Sequence, residues 1–164
     1  MALLIDGFNL IYKFPDLEGM MYEGRLNDAR KGLLNKLKEY QKIKKINIRV
    51  VFDGKRNPSD TTRQETSGTI DVYYSHEYSA DHLIKEFIKK DPNPRMETVV
   101  TSDKGIIFYL NRFRPKMYTS EKFADHVMKT IEEYYADKTP EKDDNPQLSE
   151  DDIEYWDKVF KGKK

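Results

Sequence analysis

Four aspartates in this chain each follow an apolar run. Leu3-Leu4-Ile5 leads to Asp6-Gly7, Val50-Val51-Phe52 to Asp53-Gly54, Val72-Tyr73-Tyr74 through a short loop to Asp81, and Val99-Val100-Thr101-Ser102 to Asp103. Carboxylates brought together are costly: two unit charges about 4 Å apart repel by on the order of 4 kcal/mol at an effective dielectric of about 20. Such a cluster takes up protons or binds a cation. Oxygen ligands without cysteine suit Mg²⁺ or Mn²⁺ rather than zinc. A metal held there would lower the pKa of a bound water and stabilise charge on a phosphoryl group. Taken singly, each acid has an ordinary explanation. Asp6 and Asp53 stand before glycines, where Asp and Gly shape turns. Asp81 sits in the first turn of a helix, where an acid favours the dipole. Asp103 can cap a helix starting near Lys104.

What turns four separate acids into one candidate site is the order of elements. An apolar run bounded by turn residues reads as a buried parallel strand. Strands are expected at Ala2–Ile5, Ile46–Phe52, Thr69–Tyr74, Glu97–Thr101 and Lys116–Tyr118. Helices are expected from Arg25 to about Lys44, from an Ser79 cap to about Lys90 and from an Ser120 cap to about Ala136, with a short helix or turn over Lys104 to about Arg112. Lys13–Gly24, with Pro15, Gly19 and Gly24, reads as a loop, and so does the polar stretch 54–68. Alternating strands and helices imply a mainly parallel sheet of about five strands covered on both faces, with right-handed crossovers. In such a sheet ligands sit outside the carboxyl ends of the strands, where all four acids fall.

The 164 residues suit one domain plus a tail. The 29 basic and 29 acidic residues balance, but from Asp137 onward acids outnumber bases nine to six, leaving 20 acids and 23 bases before it. Nucleic-acid affinity would therefore rest on local patches. The absence of cysteine excludes disulfides, thiolate metal sites and cysteine nucleophiles. No signal peptide or membrane span is visible, so a cytoplasmic protein is expected. The 54–68 loop places Lys55, Arg56 and Arg63 near the Asp53 turn, as phosphate contacts or as solvated residues. Residues 137–148 read as a polar linker. Residues 149–164 read as an amphipathic helix with a basic end; Ile153, Trp156 and Phe160 share a face that would dock on the chain's own body or on a protein partner.

Asp6-Gly7-Phe8-Asn9-Leu10-Ile11, Val51-Phe52-Asp53-Gly54, Ala80-Asp81 and Thr101-Ser102-Asp103-Lys104 together resemble the YacP-like NYN family of the PIN-like nuclease superfamily, over about residues 1–136. The resemblance implies a three-layer α/β/α PIN-like fold and metal-dependent endoribonuclease activity. Asp6, Asp53, Asp81 and Asp103 match its acidic positions. Asn9 matches the asparagine after the first acid, and Thr101 and Ser102 the polar pair before the last, so that Asn9 and Ser102 would orient ligands or water. Some members act on RNA at the ribosome, which extends the expected partners from RNA in general to ribosome-associated mRNA. Unstacked single strands fit sequence-reading proteins better than duplex. Lys85 and Lys104 join Lys55, Arg56 and Arg63 as candidate RNA contacts, and Tyr78 as a stacking face.

The chain departs from the family at His82 and Lys85, where members often carry further acids. That weakens a second metal site and keeps a non-catalytic RNA- or ribosome-binding module as the alternative. A phosphatase with Asp6 as nucleophile would need another aspartate at position 8, which is Phe. No phosphate-binding P-loop or G-x-G-x-x-G run occurs.

Overall fold

The computed structural model describes residues 2–54, 63–75 and 79–138. Six strands form one sheet in the order β3-β4-β2-β1-β5-β6. They are β1 (Ala2–Asp6), β2 (Asn47–Asp53), β3 (Arg63–Ser67), β4 (Ile70–Ser75), β5 (Glu97–Val100) and β6 (Lys116–Tyr118). All pair in parallel except β3, which runs antiparallel to β4. The helices are α1 (Gly7–Ile11), α2 (Pro15–Tyr22), α3 (Leu26–Lys44), α4 (Ala80–Lys90), α5 (Lys104–Leu110) and α6 (Ser120–Lys138). Short 3-10 turns occupy Pro94–Met96 and Asn111–Phe113.

The period of two along each strand feeds two cores. Leu3, Ile5, Val50, Phe52, Val72, Tyr74 and Val100 pack with α1, α3 and α6. Leu4, Val51 and Val99 point the other way, onto Ala80, Ile84 and Ile88 of α4 and Ile106 and Leu110 of α5. This is the expected three-layer α/β/α arrangement. From β1 the chain moves one way to β2 and β4, and later returns to the other side of β1 for β5 and β6. The strand order therefore reverses between β1 and β5. A crevice opens there at the carboxyl ends.

Three differences from the sequence expectations have clear causes. The expected loop 13–24 contains α2: Pro15 sits in the first turn, where its missing N–H costs nothing, and buried Leu17 packs against Gly32 of α3 so closely that a Cβ there would lie 2.5 Å from its Cδ2. The expected loop 54–68 contains β3. Its Arg-Gln-Glu-Thr-Ser run lacks apolar residues because an edge strand is held by backbone pairing to β4, through a tight turn with Gly68 at φ 63°. The cap of α6 is Thr119, whose Oγ1 accepts the Lys122 N–H, rather than Ser120, whose side chain is used elsewhere.

The Ser79 cap stands as expected, its Oγ accepting the His82 N–H at 3.1 Å. α6 runs on through Lys138. The remainder of the linker 137–148 and the whole of the tail helix 149–164 lie outside the described residues. Among the described residues no helix is long and apolar enough to cross a membrane.

Candidate active site

The two Asp-Gly pairs put acids at the sheet edge for a reason other than turn formation. Neither Gly7 nor Gly54 has a positive φ. Both are places where the chain passes too close to a neighbour for a side chain. A Cβ on Gly7 would lie 2.4 Å from the Phe52 ring, and one on Gly54 would lie 1.8 Å from the Ser75 carbonyl oxygen. The Gly54 N–H donates to Ser75 Oγ at 3.3 Å, tying the end of β2 to the end of β4. Each glycine lets its strand end tight against the sheet, with the preceding aspartate at the rim.

Asp6, Asp53, Asp81 and Asp103 all line one open cleft of about 320 Å³, together with Phe8, Asn9, Tyr12, Ser79, Ala80 and Ile106. Asp6 is partly buried at the end of β1, and its Oδ2 accepts the Thr101 hydroxyl at 3.0 Å. Burial pushes the Asp6 carboxyl from 3.8 up to about 6. The Thr101 hydrogen bond opposes that shift, while the negative charges of Asp103 and Asp81 add to it. Asp103 caps α5, its Oδ1 accepting from Gly105 N–H at 2.8 Å and Ile106 N–H at 3.1 Å. Its own N–H donates to Thr101 Oγ1 at 3.1 Å. Fully buried Thr101 thus locks the first acid to the last. Asp81 stands on the opposite flank in the first turn of α4. Its Oδ2 meets Lys85 Nζ at 3.5 Å, and its Oδ1 is buried without a hydrogen bond among the described residues.

Asn9 lies on α1 and its Oδ1 accepts two hydrogen bonds, from Ser102 N–H at 2.9 Å and from the Ser120 hydroxyl at 2.6 Å. It therefore fastens α1, the 101–103 turn and α6 to one another. The Ser102 hydroxyl faces α6, accepting from Ser120 N–H at 2.9 Å and donating to Glu121 Oε2 at 2.7 Å. Lys13 Nζ pairs with the other Glu121 oxygen at 2.9 Å. The Ser102 and Lys13 hydrogen bonds hold the Glu121 carboxyl down at about 2. Glu121 and Lys13 escaped the sequence reading. The signal was available: Glu121 follows β6 at the same sheet edge as the other acids.

Of the candidate RNA contacts, Lys104 is exposed at the first position of α5, beside Asp103. Lys85 does not line the cleft; it reaches from Asp81 to the Tyr109 ring, 5.2 Å from its centroid. His82 is exposed on α4 and is not among the cleft-lining residues. Arg63 opens β3 opposite Tyr74. Lys55, Arg56, His76 and Tyr78 lie outside the described residues.

The acids share a cleft but do not form a coordinating set as placed. Among the described residues no three acidic or histidine side chains stand close enough to hold one ion. Local partners account for this: Asp6 is held by Thr101, Asp103 by the N-terminus of α5, and Asp81 by Lys85. The donor chemistry nonetheless suits a hard divalent cation. The four acids offer carboxylate oxygens, one Asp81 oxygen lacks a hydrogen bond among the described residues, and a neighbouring cation would lower the raised Asp6 carboxyl by favouring its ionised form.

Four acids thus line the cleft at the strand-order reversal of a three-layer α/β/α fold. The family model of the YacP-like NYN domain matches residues 3–161, and the chain belongs to that family, which is related to the PIN-like nucleases. The fold is similar to two crystal structures of Rae1 (YacP) from Bacillus subtilis. One, a Trp-to-Leu variant, superposes with a TM-score of 0.71 at 21% identity, covering 99% of this chain and 92% of that one. The other superposes at 0.62 with 22% identity, covering 98% and 91%. No curated protein matches the sequence.

Proposed function

We propose that this protein is a metal-dependent endoribonuclease that cleaves single-stranded or ribosome-associated RNA. The observation that carries the reading is the convergence of Asp6, Asp53, Asp81 and Asp103 on one cleft, in a family related to nucleases. These four would hold Mg²⁺ or Mn²⁺. When bound, the metal supplies an activated water and stabilisation of phosphoryl charge. Thr101 holds Asp6 and the 103 backbone in register. Asn9 fixes the 101–103 turn against α6, so the last acid is positioned from both sides. Phe8 and Tyr12 give the cleft an aromatic wall against which a base can lie. Lys104 stands at the rim for a phosphate, and Lys55, Arg56, Arg63 and Lys85 complete the proposed RNA contacts.

The Lys85–Asp81 ion pair favours a second reading, a non-catalytic RNA- or ribosome-binding module, because a lysine occupies the acid that a metal would need. The test is cleavage of single-stranded RNA, and of mRNA on translating ribosomes, with Mn²⁺ or Mg²⁺. A chelator and Asp103→Asn serve as controls. Metal-dependent cleavage lost in both controls supports the nuclease. Silence on both substrates, with RNA binding retained in Asp103→Asn, supports the binding module.

A further inference from the structure

We propose that α5 and the turn that follows it carry single-stranded RNA onward from the acid cleft, with Phe108 as a stacking platform and Arg112 and Arg114 as phosphate contacts. The inference rests on the RNA reading above and adds a path to it. Phe108 is 81% exposed, the most exposed large apolar side chain among the described residues. A single exposed aromatic is ordinary by itself. Its surroundings are not: residues 104–118 carry Lys104, Arg112, Arg114 and Lys116 and no acid at all, in a chain whose charges balance.

Lys104, Phe108 and Arg112 are spaced four residues apart, so they lie along one face of α5 and its turn. The row begins beside Asp103 in the cleft and extends about 12 Å from it. Phe108, Asn111, Arg112 and Arg114 line an open hollow of about 720 Å³. The Arg112 guanidinium lies over the Tyr109 ring, 4.8 Å from its centroid, which holds the cation in place at the surface. A docking protein would call for a contiguous apolar patch, whereas Phe108 shares its hollow with Asn111, Arg112 and Arg114, all polar or cationic. An aromatic face interleaved with cations is how single strands are bound without sequence readout.

The test uses the full chain, fluorescein-labelled oligouridylates of about 16 and about 4 nucleotides, and Ca²⁺ in place of Mg²⁺ to limit cleavage. Phe108→Ala should weaken binding of the longer RNA about fivefold to tenfold and leave the shorter one unchanged. Arg112→Gln with Arg114→Gln should lower the slope of log affinity against log salt by about 1.4 for the longer RNA. Melting temperatures report whether either variant disturbs the fold. If the wild type binds neither RNA, the path fails, and with it the reading of free single-stranded RNA as the substrate. If it binds the longer RNA and both variants bind it equally well, or lose both RNAs alike, the α5 path is overturned while the RNA reading stands.

Discussion

On the β1–β5 flank of the cleft, Asp6, Thr101, Asn9, Ser102 and Ser120 are joined by hydrogen bonds through the 101–103 turn. On the α4 flank, Asp81 has one oxygen against Lys85 and the other buried without a hydrogen bond among the described residues. The first flank is organised by the fold itself, since its members come from β1, α1, the end of β5 and α6, and each satisfies a polar group of another. The second is organised by charge within a single helix. The contrast teaches where the cleft is rigid by construction and where its geometry depends on the charge brought to it. A hydrogen-bonded network among buried groups is costly to disturb, whereas an i,i+4 ion pair is worth only a few tenths of a kcal/mol in a helix.

The largest effect should come from Asp103→Asn. Asparagine caps helices as well as aspartate does, so α5 should keep its start while the charge disappears. If the nuclease reading holds, cleavage should fall by about two orders of magnitude or more with an unchanged melting temperature. Full activity in this variant would remove Asp103 from the proposed machinery.

The next effect is a pH dependence located on Asp6. Its carboxyl moves from 3.8 to about 6 in the folded chain. Below about pH 4 it is protonated both folded and unfolded and contributes nothing. Between about 4 and 6 the folded chain holds the proton longer, so this group lowers stability as pH rises, by about 3 kcal/mol at most. Asp6→Asn should therefore gain stability relative to wild type between pH 4 and pH 7, read by denaturant titration. Mn²⁺ at pH 7 should restore the wild type selectively. Parallel pH profiles for the two proteins would show that Asp6 is not the strained group.

A smaller change would sharpen the α4 flank. His82→Asp with Lys85→Glu puts acids where the family often has them, and Mn²⁺ affinity by calorimetry should rise about tenfold, the lower end of what a nearby supporting group contributes. No gain would show that the flank is not a metal-binding surface. Smallest is Ser120→Ala, which removes the hydroxyl donated to Asn9. A loss of about 0.5–1.5 kcal/mol is expected, or roughly 2–5 °C in melting temperature. No shift at all would mean that the network on the first flank adds nothing to stability.

Much of this was legible in the chain. The apolar runs before Asp6, Asp53 and Asp103 announce parallel strands because burial on both faces demands continuous apolar sequence. The elements with faint patterns were the ones held by something local sequence does not record. α2 is a helix because Leu17 finds Gly32 on α3, and β3 is a strand because β4 offers it an unpaired edge. Thr119 and Ser120 are adjacent hydroxyls equally able to cap, and only the position of Asn9 decides which one is free to do so.

The sequence by itself determined that acids would stand at the carboxyl ends of the strands. An alternating α/β pattern with right-handed crossovers leaves them nowhere else to go. It also excluded thiolate ligands for any metal there, since the chain has no cysteine. Only the tertiary structure decided what each acid touches. The link from Asp6 to Thr101 spans 95 residues and that from Asn9 to Ser120 spans 111. A hydrogen bond over such a separation depends on side chains meeting within about 3 Å, a condition set by how whole elements pack and carried by no local stretch of residues.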